Sequence, residues 1–162
     1  MSDNAVQPLR HEPSVQDSPS FVGDYLLYLL AAVSDRASGQ FHDHVRLDGL
    51  RVPEWRVLAC LSDEDGAMVT ELARLSLLEQ SRLTRIIDQM AAKGLVSRGA
   101  DPADARRVRV FLTRHGRALA TRLVDDAQAH EKGLLALLTE QEAAVLKPVL
   151  KALLARLEDD QR

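Results

Sequence analysis

From Phe21 onward the apolar residues Tyr25, Leu29, Ala32 and Val33 fall three or four apart, the spacing of one helix face, and no proline intervenes before Pro53. This predicts a long first helix that ends at Phe41 or Leu47. Pro53 suits a first helical turn, and Trp55, Leu58, Ala59 and Leu61 keep the helical spacing until the polar run 63–66 breaks it. A third helix holds Leu72, Ala73 and Leu75, with Thr70 as the expected N-cap. Over residues 80–93, Leu83, Ile86, Ile87 and Met90 stand at i, i+3, i+4 and i+7, a narrow stripe that faces a core. That stripe turns Ser81, Arg85, Asp88 and Ala92 to the opposite side, flanked by Arg82, Thr84 and Gln89. Gly94 is placed to end this helix.

Beyond Gly94 the period changes from that of a helix to that of a strand. Residues 95–99 and 107–112 read as two strands, the second alternating Val108, Val110 and Leu112 against Arg107, Arg109 and Phe111. The polar turn 100–106 between them makes a β-hairpin with a charged tip. Thr113 caps a fifth helix expected to reach about Leu138, and Thr139 with Glu142 has capping-box spacing for a sixth that ends near Glu158. Pro148 falls inside that last helix, where it removes a hydrogen bond and predicts a kink. The fold class is therefore mostly α, an α+β arrangement with one small hairpin. Residues 1–20, with Pro8, Pro13 and Pro19 among polar residues, predict a disordered tail and lack the features of a signal peptide.

Composition and charge sharpen this picture. Only 4% of the 162 residues are aromatic, a balance that favours helices packed through aliphatic side chains. The most apolar run, 25–33, is too short to cross a bilayer, so no membrane association is expected. The single cysteine, Cys60, excludes an internal disulfide and fits a reducing, cytoplasmic setting; beside Val57, Leu58 and Leu61 it reads as an unreactive buried thiol. The net charge of −3 argues against a nucleic-acid binder only until its distribution is considered. Nine basic residues stand against three acidic ones between Arg82 and Arg117, so positive charge is concentrated in the predicted fourth helix and hairpin. No phosphate-binding loop, nucleophile motif or cofactor motif appears, so no enzymatic activity is expected. His42 and His44 flank Asp43, but no second ligand pair has the spacing of a metal site.

A helix pair followed at once by a two-stranded hairpin and flanked by long terminal helices resembles the winged helix-turn-helix proteins of the MarR (multiple antibiotic resistance regulator) family. The run Gly94, Leu95, Val96, Arg98, Asp101, Pro102, Asp104, Ala105, Arg106, Arg107, Val110, Leu112, Thr113 and Gly116 is similar to that family's wing signature. Thr70, Glu71, Leu72 and Ala73, with Leu83, Thr84 and Arg85, match its helix-turn-helix. Two positions depart from the usual pattern. Leu77 stands where the central turn often carries glycine, and Glu79 where a serine or threonine often caps the second helix.

The resemblance implies a transcriptional regulator, a repressor by default, that binds a pseudo-palindromic double-stranded DNA operator as a homodimer. It divides the chain into the tail (1–20), a first dimerisation helix and connection (21–50), a DNA-binding lobe (51–117) and C-terminal dimerisation helices (118–162). The second helix of such a unit enters the major groove, which points to Gln80, Ser81, Arg82, Thr84 and Arg85 as DNA contacts, Arg85 being the best suited to read guanine. The wing tip adds Arg106 at the minor groove, oriented by Asp104, with Arg107 beside it. Leu146, Val149, Leu150, Leu153, Leu154 and Leu157 give the last helix a wide apolar face for a partner subunit. Family members commonly release DNA on binding a small anionic aromatic compound. Tyr25, Tyr28, Arg36, His42, His44 and Trp55 are candidates to hold such an acid or its CoA thioester. The alternative is a winged-helix module that binds protein and makes no DNA contact.

Overall fold

The computed structural model describes residues 21–101, 103–104 and 107–160, so the expected tail over residues 1–20 and the wing-tip residue Arg106 lie outside the described residues. In chain order the elements are α1 (Phe21–Asp24), α2 (Leu26–Leu47), α3 (Val52–Asp63), β1 (Ala67–Met68), α4 (Val69–Leu75), α5 (Gln80–Ala92), β2 (Val96–Ala100), β3 (Val108–Leu112), α6 (Arg114–Leu135) and α7 (Glu140–Asp159). They belong to two compact units, one ending at Arg36 and the other beginning at Ala37. In the first unit Phe21, Tyr25, Leu26, Leu27, Tyr28, Leu29 and Val33 are all exposed, and the rings of Phe21 and Tyr25 stack with centroids 5.2 Å apart.

The second unit holds the core. The predicted stripe of α5, Leu83, Ile86, Ile87 and Met90, is buried against Val57, Leu58 and Leu61 of α3, Leu72 of α4 and the sheet residues Val96, Val110 and Leu112. Leu123 of α6 and Val45 of α2 complete it, both with no exposed surface. Each of the fully buried aliphatic side chains adds roughly 1.5 to 3 kcal/mol relative to exposure. In α5 the outward residues therefore point outward because the inward ones cannot be released.

Local chemistry sets the helix ends. Gly94 has φ +69° and closes α5 in a Schellman motif, its N–H donating to the Ala91 carbonyl at 2.9 Å and that of Leu95 to Met90 at 3.0 Å. Thr113 caps α6 by accepting from the Gly116 N–H at 3.0 Å. The Thr139 capping box is present, with the Thr139 N–H donating to Glu142 Oε2 at 2.9 Å and the Glu142 N–H to Thr139 Oγ1 at 3.4 Å. The Thr139 amide first, then its hydroxyl, which donates to Glu142 Oε2 at 2.8 Å, hold the Glu142 carboxyl below its ordinary pKa. Pro148 lies within α7.

Four expectations need correction. The sheet has three strands in the order β1-β3-β2, all antiparallel, where two were expected; Ala67 pairs with Val110 and Met68 with Arg109. Because β1 holds the backbone extended through Met68, that residue and not Thr70 occupies the N-cap of α4, and Thr70 lies inside the first turn. The first helix is broken at Tyr25 into α1 and α2. The fifth helix ends at Leu135, short of Leu138, with turn bonds from Leu137 N–H to Leu134 and from Leu138 N–H to Leu135.

Candidate nucleic-acid interface

The turn between α4 and α5 determines how α5 is presented. It is a second Schellman motif, with the Leu77 N–H bonded to Arg74 at 3.3 Å and the Leu78 N–H to Ala73 at 3.0 Å, and the residue at its left-handed position is Leu77, φ +57°. A side chain there costs roughly 1 to 2 kcal/mol that glycine avoids. Leu77 is 79% exposed, so it loses no packing on removal. Leu77→Gly should therefore raise stability by about 0.5 to 1 kcal/mol, after the added entropy of the unfolded chain is deducted. A thermal melt that falls on substitution would refute the assignment of strain.

Glu79 replaces the usual hydroxyl cap successfully. Its carboxylate accepts from the N–H groups of Ser81 and Arg82, both at 3.1 Å, and from the Ser81 hydroxyl. The Ser81 hydroxyl first, then those two amides, and more weakly the charge of Arg85 hold the Glu79 carboxyl below its usual range. The hydroxyl proton of Ser81 is thus committed to the cap. Thr84 Oγ1 donates to the Gln80 carbonyl at 3.0 Å. By contrast, the guanidinium groups of Arg82 and Arg85 are exposed and make no hydrogen bond or ion pair among the described residues.

The fold sorts the basic residues that the sequence merely clusters. Arg109 donates to Asp101 Oδ2 and, at 2.8 Å, to the Gly66 carbonyl, which ties the wing to the loop before β1. Asp101 is 7% exposed, and its other oxygen accepts from the N–H groups of Ala103 at 2.8 Å and Asp104 at 3.2 Å. The Ala103 amide first, then Arg109, hold its carboxyl below the ordinary aspartate range, so Asp101 organises the wing turn. Arg117 pairs with Asp65, which also accepts from the Leu112 N–H at 2.8 Å. Lys93 binds Glu54 and the Gly49 carbonyl. Arg98, on β2, donates to the Thr84 carbonyl at 3.2 Å and forms an ion pair with Asp88 at 2.8 Å. Arg107 remains exposed, its Nε 3.6 Å from Asp104 Oδ2. Between α5 and the wing lies a cleft of about 630 Å³ lined by Gln80, Thr84, Arg98 and Arg107 together with Met68, Val69, Thr70 and Val108.

Sequence reasoning missed Glu54. Its side chain has no exposed surface, and it accepts from the Arg51 N–H at 2.7 Å and from Lys93 Nζ at 2.9 and 3.0 Å. Arg51, which also bonds Gln89, has no acceptor to return, so only half of a capping box is formed. Burial pushes the Glu54 carboxyl upward, but the Arg51 amide, Lys93 and the Arg51 guanidinium outweigh it and hold it lowered. The start of α3 is thereby fastened to the end of α5.

The ligand candidates separate. Tyr25, Tyr28 and Arg36 belong to the first unit and are exposed; His42, His44 and Trp55 belong to the second. His44 lines a pocket of about 270 Å³ with Gln40, Phe41, Asp126, Ala129 and His130, and its Nε2 is 3.1 Å from Asp126 Oδ2. Trp55 instead meets the ring of Phe41 edge-on, with centroids 5.1 Å apart. His130, absent from the sequence-based set, stacks on Phe41 and has Nε2 2.7 Å from the Ala37 carbonyl. Burial, then the charge of Asp63, pushes the Cys60 thiol above its usual pKa, the opposite of what a reactive thiolate needs. No helix of the described residues is long and apolar enough to cross a membrane.

A helix pair with its second member capped, half-buried and arginine-bearing, followed by a hairpin on a three-stranded sheet, defines a winged helix-turn-helix protein. The MarR family model matches residues 50–108. A MarR family transcriptional regulator from Silicibacter pomeroyi DSS-3 superposes with a TM-score of 0.78 at 62% identity, over 85% of this chain and 98% of that one. The transcriptional regulator TtmR of Methylorubrum extorquens (strain PA1) is 28% identical over 131 residues, 81% of this chain and 66% of its own length. The transcriptional repressor IacR of Pseudomonas putida is 30% identical over 93 residues, 57% of this chain and 56% of its own length. The chain belongs to the MarR family, whose members are transcriptional regulators and not enzymes.

Proposed function

We infer that the protein is a dimeric repressor that binds a pseudo-palindromic DNA operator and leaves it when a small anionic aromatic compound, or its CoA thioester, binds. The observation that carries this reading is the pair of guanidinium groups, Arg82 and Arg85, that make no hydrogen bond or ion pair among the described residues, while Lys93, Arg98, Arg109 and Arg117 are held by the scaffold. An unpaired arginine on a groove-entering helix can give guanine two parallel bonds, and Arg85 takes that role. Arg82 and Gln80 support it from the flanks. Ser81 and Thr84, whose hydroxyl protons are committed within the helix, contribute acceptor oxygens and a methyl group. Arg107 of the wing, whose Nε stands 3.6 Å from Asp104 Oδ2, and Arg106 before it in the sequence take the adjacent minor groove.

Dimerisation follows from exposed apolar surface. Val145, Leu146, Val149, Leu150, Leu153, Leu154 and Leu157 of α7 are all exposed, and no residue of that helix is buried. Such a continuous face calls for a partner, and a second copy also supplies the second half-site reader. The pocket at His44 and His130 offers aromatic and imidazole groups to an aromatic acid, and repression accords with the activity named for the Pseudomonas putida relative.

Duplex binding measured against salt tests the reading. Neutralising six or more phosphates would lower affinity by about a thousandfold or more between 50 and 200 mM salt. Arg85→Ala should cost about 1 to 3 kcal/mol and relax preference at particular base pairs, whereas Arg106→Ala should weaken all sequences alike. No duplex binding at low salt would favour the protein-binding module instead.

A further inference from the structure

We propose that Asp88 and Arg98 form a positioning pair that fixes the wing at a set distance from α5, across the cleft where one phosphodiester strand of the operator must run. The inference rests on the DNA-binding reading above. When α5 lies in a major groove and the wing in the adjacent minor groove, the strand that divides the two grooves passes between them. The cleft lined by Gln80, Thr84, Arg98, Arg107, Thr70 and Val108 occupies that place. Its width decides whether helix and wing reach their grooves together.

One side chain sets that width. Arg98 stands on β2 opposite Val110 of β3, and its guanidinium crosses to α5, where Nη2 donates to the Thr84 carbonyl at 3.2 Å and lies 2.8 Å from Asp88 Oδ1 in an ion pair. Thr84 and Asp88 are one helical turn apart, so a single guanidinium nitrogen, Nη2, reaches two points of the same face. Asp88 is otherwise out of place. It puts a carboxylate on the outward face of a DNA-reading helix, where it repels phosphate, and it is 59% exposed, so burial does not explain it. Its partner does explain it.

The two accounts of Asp88 predict opposite signs. If it were only a charge, Asp88→Ala would remove a repulsive group and release Arg98, so that binding would tighten and its salt slope steepen by about one. As a positioning residue, its loss should weaken binding about tenfold because helix and wing no longer reach their grooves in register. The fold should be unaffected: alanine is the better helix former and an exposed ion pair contributes little, so the melting temperature should stay within about 2 °C or rise. Asp88→Glu, whose longer carboxylate still reaches Arg98, should restore most of the affinity, as should the exchange of Asp88→Arg combined with Arg98→Asp.

The experiment is a duplex titration of the full-length wild type and these variants at several salt concentrations, with melting curves alongside. Weaker binding by Asp88→Ala, an unchanged melt and recovery in either rescue variant would support the pair. Equal or tighter binding by Asp88→Ala, or failure of both rescues, would overturn it while leaving the DNA-binding reading intact. A wild type that binds no duplex at low salt would remove both.

Discussion

Gly116→Ala is expected to destabilise the protein by about 3 kcal/mol or more, a drop of roughly 6 to 12 °C in melting temperature. A Cβ at Gly116 would stand 1.9 Å from the Leu95 carbonyl oxygen and 2.8 Å from its carbon. Both are main-chain atoms, so no side-chain rotation can relieve the overlap. Relief requires α6 to part from the segment entering β2, and that segment is held on three sides. The Thr113 N–H donates to the Leu95 carbonyl at 3.1 Å, the Thr113 hydroxyl to the Gly94 carbonyl at 2.6 Å, and the Leu95 N–H to Met90 at the end of α5. The clash therefore passes from α6 through the segment entering β2 to the end of α5. Gly133, in the same helix with nothing within 4 Å of its added Cβ, supplies the contrast. Gly133→Ala should stabilise by up to about 1 kcal/mol through helix propensity alone. If the two substitutions moved the melt in the same direction, the close approach at Leu95 would not be the reason for glycine at 116.

Features whose cause lies within a few residues were legible in the amino-acid sequence. The buried stripe of α5, the Gly94 terminus and the Thr139 capping box each depend on a spacing of three or four, and each stands where that spacing puts it. What escaped depends on residues far apart. Strand β1 is two residues long and exists because Ala67 meets Val110, a partner it has no local sign of. That pairing in turn moved the N-cap of α4 from Thr70 to Met68. The sorting of arginines is similar. Arg82, Arg98 and Arg109 look alike in a charge count, yet Arg109 is spent on Asp101 and Gly66, Arg98 on Asp88 and Thr84, and Arg82 on neither. His130 joins Phe41 and His44 across 89 and 86 positions, with no motif to announce it. Where the sequence departs from the family's habit, at Leu77 and Glu79, the fold keeps the same turn by tolerating a left-handed leucine and by using a carboxylate as the cap.

Glu54 is the second position where a large effect is expected, and its partners explain why a buried carboxylate is tolerated. Lys93 closes the end of α5, where a cation is favoured by the helix dipole, and Glu54 sits in the first turn of α3, where an anion is favoured. Glu54→Ala removes the acceptor for the Arg51 amide and for both contacts to Lys93 Nζ, and leaves a void among residues with no exposed surface. The expected cost is about 2 to 4 kcal/mol, below the full penalty of a broken buried pair because Lys93 is 42% exposed and can turn to water. Glu54→Gln keeps the shape and the acceptor for Arg51 but loses the charge, and should cost about 1 to 2 kcal/mol. The two variants also separate charge from packing through pH. The folded carboxyl is lowered, so its contribution is complete above the unfolded value of about 4.3 and is lost as pH falls through the folded one. Wild type should therefore lose its advantage over Glu54→Gln as pH drops below about 4, while its advantage over Glu54→Ala should narrow without vanishing, because packing does not titrate. An advantage over Glu54→Gln that stayed constant down to pH 3 would show that the Lys93 contact contributes no charge-dependent stability, and α3 would then be tied to α5 by shape alone.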